Sequence, residues 1–294
     1  MLDLLCIGEA MAELRSAPDG AGFVVGFAGD TYNTAVYAKR ALGGAGKVGF
    51  FTRVGEDPLS AGLLSACEAE GLDTSHVQRD PARNVGIYSV TTDPAGERSF
   101  HYWRDQSAAR QLFEDADTSL PPARIIYVSG ITMAILSPTA RSNLMGQLAQ
   151  RQAQGCEIAY DSNYRPKLWE DQATARAATA SMWELCDLAF PSIDDEQALF
   201  GDVDENAVVA RFGQGTFTRC TIKRGERGPL ALGLDPSTLP AFPPATKVVD
   251  TTAAGDSFNG GYFAARLTGK SEPECLLAGH QLASRVVGVS GAIG

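Results

Sequence analysis

The chain has 294 residues, with 35 Asp and Glu against 25 Lys and Arg, so its formal net charge is −10. Affinity for a polyanion comes from clustered Lys and Arg on phosphates, so no nucleic-acid partner is expected. A hydrophobic fraction of 44% with 20% charged residues is globular in composition, and no stretch approaches the ~20 uninterrupted apolar residues of a membrane span. A soluble chain with no membrane partner is expected, and its length suits one large α/β domain. The six cysteines, Cys6, Cys67, Cys156, Cys186, Cys220 and Cys275, form no CxxC pair and are expected as buried, reduced thiols of a cytoplasmic protein. The three histidines, His76, His101 and His280, have no second ligand at metal-site spacing, which argues against zinc.

In chain order, residues 4–7 predict a first buried strand, and residues 12–27 an extended, Gly-punctuated stretch. Residues 33–42 have helical spacing and 48–51 read as a strand. Between them Gly44-Ala45-Gly46-Lys47-Val48-Gly49 satisfies GxGxxG. A dinucleotide loop must follow a strand and open a helix, and here the order is reversed. A Walker A loop fails too, with Ala41 for its first Gly and Val48 after Lys47 where Ser or Thr should reach the metal. Residues 86–92 and 97–102 flank an Asp93-Pro94-Ala95-Gly96 turn and predict a hairpin. Together, segments at about 12–27 and 86–104 predict a small projecting sheet, a lid over a cleft or a pairing surface for a second subunit. Residues 125–128, 157–160, 187–190 and 221–223 continue the apolar runs, with Ala-rich helical stretches between most of them. Runs without alternation suit strands covered on both faces, so a mostly parallel sheet between helix layers is expected. No internal repeat or long linker divides the chain, and residues 1–294 are read as one domain.

The most informative segment is Asp250-Thr251-Thr252-Ala253-Ala254-Gly255-Asp256-Ser257-Phe258-Asn259-Gly260-Gly261-Tyr262-Phe263. Small residues running into an amphipathic stretch place Ala253, Ala254, Gly255 and Asp256 at a helix N-terminus, where free N–H groups and the helix dipole favour an anion such as phosphate. The plainer alternative makes Asp256 an ordinary N-cap. Gly260-Gly261 inside the helix costs about 1 kcal/mol per residue relative to Ala and needs a reason such as close backbone packing.

This segment resembles the C-terminal signature of the PfkB, or ribokinase-like, family of small-molecule kinases, D-T-x-G-A-G-D-x-F, with Ala253 in place of the first Gly. Gly26-Phe27-Ala28-Gly29-Asp30-Thr31-Tyr32-Asn33, Leu42-Gly43-Gly44 and Phe51-Thr52-Arg53-Val54-Gly55-Glu56-Asp57 resemble its N-terminal signature. The resemblance covers nearly the whole chain and implies a three-layer α/β/α sandwich of the ribokinase type with a small projecting β-sheet lid. Inside that family, GFAGDTYN (26–33), ERSFHYWR (97–104), SGITMAILSP (129–138), DSNYRPKLW (161–169) and DTTAAGDSF (250–258) are similar to kinases of 2-keto-3-deoxygluconate.

Carried over position by position, the resemblance implies that Gly29, Asp30 and Asn33 contact the sugar hydroxyls. Tyr88 and Tyr102 cover the substrate, and Arg104 and Arg165 bind its acid end, since a guanidinium grips a carboxylate in a bidentate fork. ATP contacts fall to Lys223, Gly225 and Gly228, with Asn163, Arg165 and Ser192 near the phosphates and His280 on the adenine side. The family's N-x-x-E motif is altered to Ser192-Ile193-Asp194-Asp195-Glu196, leaving either Asp195 or Glu196 to act on Mg²⁺ through water or phosphate. Asp256 is the implied general base for transfer from MgATP to the 6-hydroxyl, with the N–H groups of Ala253, Ala254 and Gly255 holding the developing charge. A homo-oligomer through the lid sheets is implied as well. A same-family kinase of a neutral sugar or nucleoside, and a non-catalytic sugar-acid sensor, are the alternatives.

Overall fold

The computed structural model of the protein describes residues 1–17, 21–92 and 98–293. In chain order its strands are β1 (Leu2–Ile7), β2 (Met11–Ser16), β3 (Phe23–Ala28), β4 (Val48–Phe51), β5 (Arg53–Val54), β6 (Gln78–Arg79), β7 (Ile87–Thr92), β8 (Arg98–Trp103), β9 (Ala123–Ser129), β10 (Glu157–Asp161), β11 (Leu188–Phe190), β12 (Arg219–Ile222) and β13 (Leu230–Ala231). The helices are α1 (Asp30–Leu42), α2 (Pro58–Ala69), α3 (Gly130–Ile135), α4 (Pro138–Ala153), α5 (Gln172–Leu185), α6 (Ile193–Phe200), α7 (Glu205–Phe212), α8 (Ala254–Leu267) and α9 (Glu272–Val286).

The main sheet has the order β13-β12-β11-β10-β9-β1-β4 and is parallel except where β13 meets β12. Alternate residues of each strand enter opposite cores, as the pleat requires. Leu5, Ile7, Ile126, Val128, Ile158 and Tyr160 pack with residues of α3 to α7. Leu4, Cys6, Ile125, Tyr127 and Ala159 pack on the other face with α1, α2, α8 and α9. Both faces are covered, which is why the strand sequences are apolar without alternation. The layers are therefore α/β/α. No helix among the described residues is long and apolar enough to cross a membrane.

A separate sheet has the order β3-β2-β7-β8. β2 pairs antiparallel with β3 and parallel with β7, and β7 and β8 form the hairpin. The turn expected at 93–96 lies outside the described residues, as do residues 18–20. The first helix begins at Asp30, three residues before the sequence pattern marks it, so Asp30 and Asn33 stand in its first turn. The GxGxxG stretch at 44–49 begins in the short turn Gly43–Ala45 that follows α1 and runs into β4, helix before and strand after.

α8 is packed between α1 and α9. A Cβ at Gly260 would lie 2.8 Å from Tyr37 Cβ and 2.9 Å from the backbone nitrogen of Ala38. At Gly261 it would lie 2.8 Å from the Ala278 carbonyl oxygen. The paired glycines are thus the contact surface of the helix. Helix propensity alone would have Gly260→Ala gain about 1 kcal/mol. Overpacking against α1 is expected to win and cost about 1–3 kcal/mol, read as a lower urea midpoint; an unchanged or higher midpoint would contradict this packing.

Candidate functional site

A cleft of about 790 Å³ opens at the carboxyl ends of β1, β10 and β12, against the N-termini of α1 and α8. This is the end of an open α/β sheet where strand ends and helix dipoles converge on a ligand. Its floor is acidic. Asp256, in the first turn of α8, accepts a 2.8 Å hydrogen bond from the amide of Asn33 on α1. Asp30 accepts one of 2.8 Å from Asn163. Asp161, at the end of β10, accepts 2.6 Å from Asn259 and 2.5 Å from Lys223 Nζ.

Burial is the largest cause raising Asp256 well above the ordinary carboxylate range, followed by the charge of Asp30; the Asn33 hydrogen bond opposes it. Asp30 is also raised, first by burial. Desolvation penalises the charged form, and neighbouring carboxylates disfavour one another's ionisation. Asp256 is therefore a buried carboxyl group with a strengthened hold on its proton. It is not the N-cap, a position held by Ala253 with φ of −110°, which alanine adopts without strain.

The anion cradle differs from the sequence expectation in two ways. Ala253 is enclosed, 1% exposed, and does not line the cleft. Ala254 does line it, but its N–H is donated to the Thr251 carbonyl at 3.1 Å. Gly255 and Asp256 are left as the first-turn donors, with no acceptor inside the helix.

Of the residues expected to hold the sugar, Gly29, Asp30, Asn33, Tyr88, Tyr102, Arg104 and Arg165 all line the same cleft. The lid presents Tyr88 and Tyr102 as a stacked pair, ring centroids 5.7 Å apart. The Tyr88 hydroxyl donates to Glu13 at 2.7 Å, which fixes the ring. Arg104 is buried and paired with Glu9, which follows β1 at the base of the lid. Arg165 is 54% exposed at its side chain and lies 3.6 Å from Asp195.

Of those expected at the nucleotide, Asn163, Ser192, Lys223, Gly225, Gly228 and His280 line the cleft. Asn163 also reaches Asp30 through its hydrogen bond. Arg224 and Arg227 both bond Glu205, which pins the loop bearing Gly225 and Gly228. The His280 Nε2 lies 2.7 Å from the Pro243 carbonyl. A carbonyl can only accept, so this nitrogen carries a proton and His280 is a bonded wall residue. Asp195 lines the cleft and accepts from Ser162 Oγ at 3.1 Å. Glu196 does not fit the expected role: its side chain is fully enclosed, bonded to Arg211 at 2.9 Å and pushed up to about 7 by burial. Successive helical residues point about 100° apart, and on α6 it is Asp194 and Asp195 that face the cleft while Glu196 turns to Arg211.

Residues absent from the sequence expectation are Glu9, Asp161, Asn259 and Tyr127. Asp161 opens the DSNYRPKLW segment already singled out, so its signal was present but unused.

A buried carboxyl group at a helix N-terminus, under an aromatic lid, is an arrangement suited to an enzyme that transfers an anionic group to a small polar acceptor. Residues 1–294 match the pfkB family carbohydrate kinases. The 2-dehydro-3-deoxygluconokinase of Escherichia coli (strain K12) is 40% identical over 296 residues, covering 98% of this chain and 95% of that protein. The crystal structure of a PfkB protein from Polaromonas sp. JS666 superposes with a TM-score of 0.82 at 27% identity, covering 98% of this chain and 96% of that one. A fructokinase from Vibrio cholerae O395, crystallised with fructose, ADP and calcium, gives a TM-score of 0.84 at 22% identity, covering 100% and 95%. The chain belongs to the PfkB family of carbohydrate kinases, enzymes that move a phosphoryl group to an alcohol acceptor.

The raised Asp256 has a consequence for stability. The folded chain holds this proton more tightly than the unfolded chain, so the group's contribution is full below the unfolded pKa and is lost as pH rises through the raised folded value. Asp256→Asn removes that loss. Its urea midpoint is expected above wild type at about pH 8, with the gain shrinking toward about pH 4. An equal shift at both pH values would contradict the burial of a charged carboxylate.

Proposed function

We propose that this chain phosphorylates the 6-hydroxyl of 2-keto-3-deoxygluconate from MgATP, giving 2-keto-3-deoxy-6-phosphogluconate. The observation that carries the reading is the meeting of two arginines, Arg104 and Arg165, with the buried Asp256 in one cleft. A neutral sugar has no carboxylate for a guanidinium fork to grip. The 40% identity to an enzyme named 2-dehydro-3-deoxygluconokinase supports the same substrate.

Asp30, Asn33 and the Gly29 backbone orient the sugar, and Asp256 takes the proton of the attacking hydroxyl. Gly255 and Asp256 offer N–H groups to the transferring phosphoryl group, while the Gly225 to Gly228 loop and the His280 wall receive the nucleotide. Mg²⁺ would be carried by the nucleotide phosphates and would neutralise their charge, and Asp195, which lines the cleft, would hold it through water or phosphate. Tyr88 and Tyr102 shield the site from water, which otherwise competes as acceptor. The six cysteines are free and buried, which supports a reducing, cytoplasmic setting.

The lid also supports a homodimer. By strand alternation, one face of the lid turns Tyr88 and Tyr102 to the cleft, and the other carries Phe23, Val25 and Trp103, each large, apolar and exposed. A second lid is the covering this face accepts.

ADP release is to be measured with 2-keto-3-deoxygluconate, its galactonate epimer, ribose and fructose. Turnover is expected on sugar acids, and Arg165→Ala is expected to weaken it by about 1.5–3 kcal/mol in kcat/KM. Turnover on a neutral sugar only, or equal loss on both classes, would overturn the carboxylate reading. Sedimentation of the wild type is expected to give a dimer and that of Val25→Asp with Trp103→Glu a monomer; a monomeric wild type would contradict the lid interface.

A further inference from the structure

We propose that Lys223 is a catalytic residue, the cation that neutralises the transferring phosphoryl group, and that Asp161 is its positioning residue, set in turn by Asn259 and Tyr127. The inference rests on the kinase reading above and adds a residue pair to its chemistry.

The geometry begins with the backbone. Lys223 follows β12, and its N–H donates to the Pro191 carbonyl at 2.7 Å while its own carbonyl accepts from Ile193 N–H at 3.1 Å. Both backbone groups are clamped, so the side chain leaves from a rigid platform. It lines the cleft and ends near the first turn of α8: its Nζ would lie 3.4 Å from a Cβ built on Gly255. The ammonium thus overhangs the N–H groups that are open to an anion. It is also the cation whose field opposes the rise of Asp256.

Asp161 holds this ammonium at 2.5 Å. The carboxylate does not need the lysine to be satisfied. One oxygen accepts from the Asn163 N–H at 3.2 Å, and the other from Asn259 at 2.6 Å and the Tyr127 hydroxyl at 3.4 Å. Tyr127 in turn accepts from Asn259 at 3.1 Å. A carboxylate already bonded through both oxygens can fix the direction of a fourth donor without being relieved by it. An ammonium has three N–H donors; Asp161 takes one, and two remain for phosphate oxygens.

In the transfer, the sugar O–H bond breaks and its proton goes to Asp256. The sugar oxygen forms its bond to the γ-phosphorus, the bond from the γ-phosphorus to the bridging oxygen breaks, and that electron pair stays on ADP. Negative charge spreads over the γ-phosphoryl oxygens and the leaving oxygen along the way. A fixed cation at the N-terminus of α8 stabilises that charge without reorganising. The floor otherwise carries three carboxylates, Asp30, Asp161 and Asp256, which repel a nucleotide phosphate.

The test uses MgATP and 2-keto-3-deoxygluconate on the full chain, with kcat, both KM values and the thermal midpoint measured for each variant. Lys223→Met is expected to lower kcat by about 10²–10³-fold with smaller changes in KM, the pattern of an interaction made in the transition state. Asp161→Asn, which keeps an acceptor but loses the charge that anchors the ammonium, is expected to lower kcat by about tenfold and leave both KM values within about twofold. The double variant Lys223→Met with Asp161→Asn separates chemistry from folding. It removes both charges, so its thermal midpoint is expected to recover toward wild type while kcat stays as low as in Lys223→Met. Recovery of kcat along with the midpoint would overturn the inference and make the pair structural. An unchanged kcat in Lys223→Met would overturn it too. If the kinase reading itself is wrong, the wild type releases no ADP on any sugar acid or sugar, which is a different outcome from either.

Discussion

Burial of three carboxylates at one end of a parallel sheet is the constraint around which the site is arranged. Asp30, Asp161 and Asp256 are each bonded by the amide of an asparagine: Asn163, Asn259 and Asn33, at 2.8, 2.6 and 2.8 Å. An amide satisfies a carboxylate oxygen without adding positive charge, so the groups remain hydrogen-bonded yet repel one another. Asp256 is consequently raised and can serve as a base. Two of the three asparagines lie on α1 and α8, and the close approach of those helices at Gly260 holds the Asn33 amide against Asp256. Packing and chemistry are joined at that helix contact.

The lid obeys a different constraint. A four-stranded sheet needs a covered apolar face to be stable, and this one is tied to the body where its strands enter and leave. Glu9 precedes β2 and Arg104 follows β8, and the two form a buried ion pair across that junction. Removing one partner would leave an uncompensated buried charge. Arg104 also lines the cleft, so the residue that anchors the lid is the one proposed to read the substrate's acid end.

Much of the architecture was legible because the physics acting on it is repetitive. Strands covered on both faces must be apolar at every position, and the runs at β1, β4, β9 and β10 announced a parallel sheet. The DTTAAGDSF segment combined small residues, an acid and a helix start, which marked the N-terminus of α8 at the cleft. Single polar partners were not legible. Glu9 and Arg104 are far apart in sequence, and an arginine taken alone reads as a surface group, which holds for Arg165 and fails for Arg104. The choice between Asp195 and Glu196 depends on helix phase, which adjacent residues do not disclose; α6 turns the first to the cleft and the second to Arg211. Ala253 looked like a cradle donor by position in the motif, yet capping α8 encloses it.

The central claim is that the buried Asp256, a carboxylate made more basic by its surroundings, takes the proton of the sugar hydroxyl. The most direct measurement is ADP release from MgATP with saturating 2-keto-3-deoxygluconate for Asp256→Asn beside the wild type, with nucleotide affinity measured in parallel. A loss of about 10²–10⁴-fold in turnover with ATP affinity retained is the expected result, the usual share of a general base. Turnover near that of the wild type would contradict it and remove Asp256 from the chemistry.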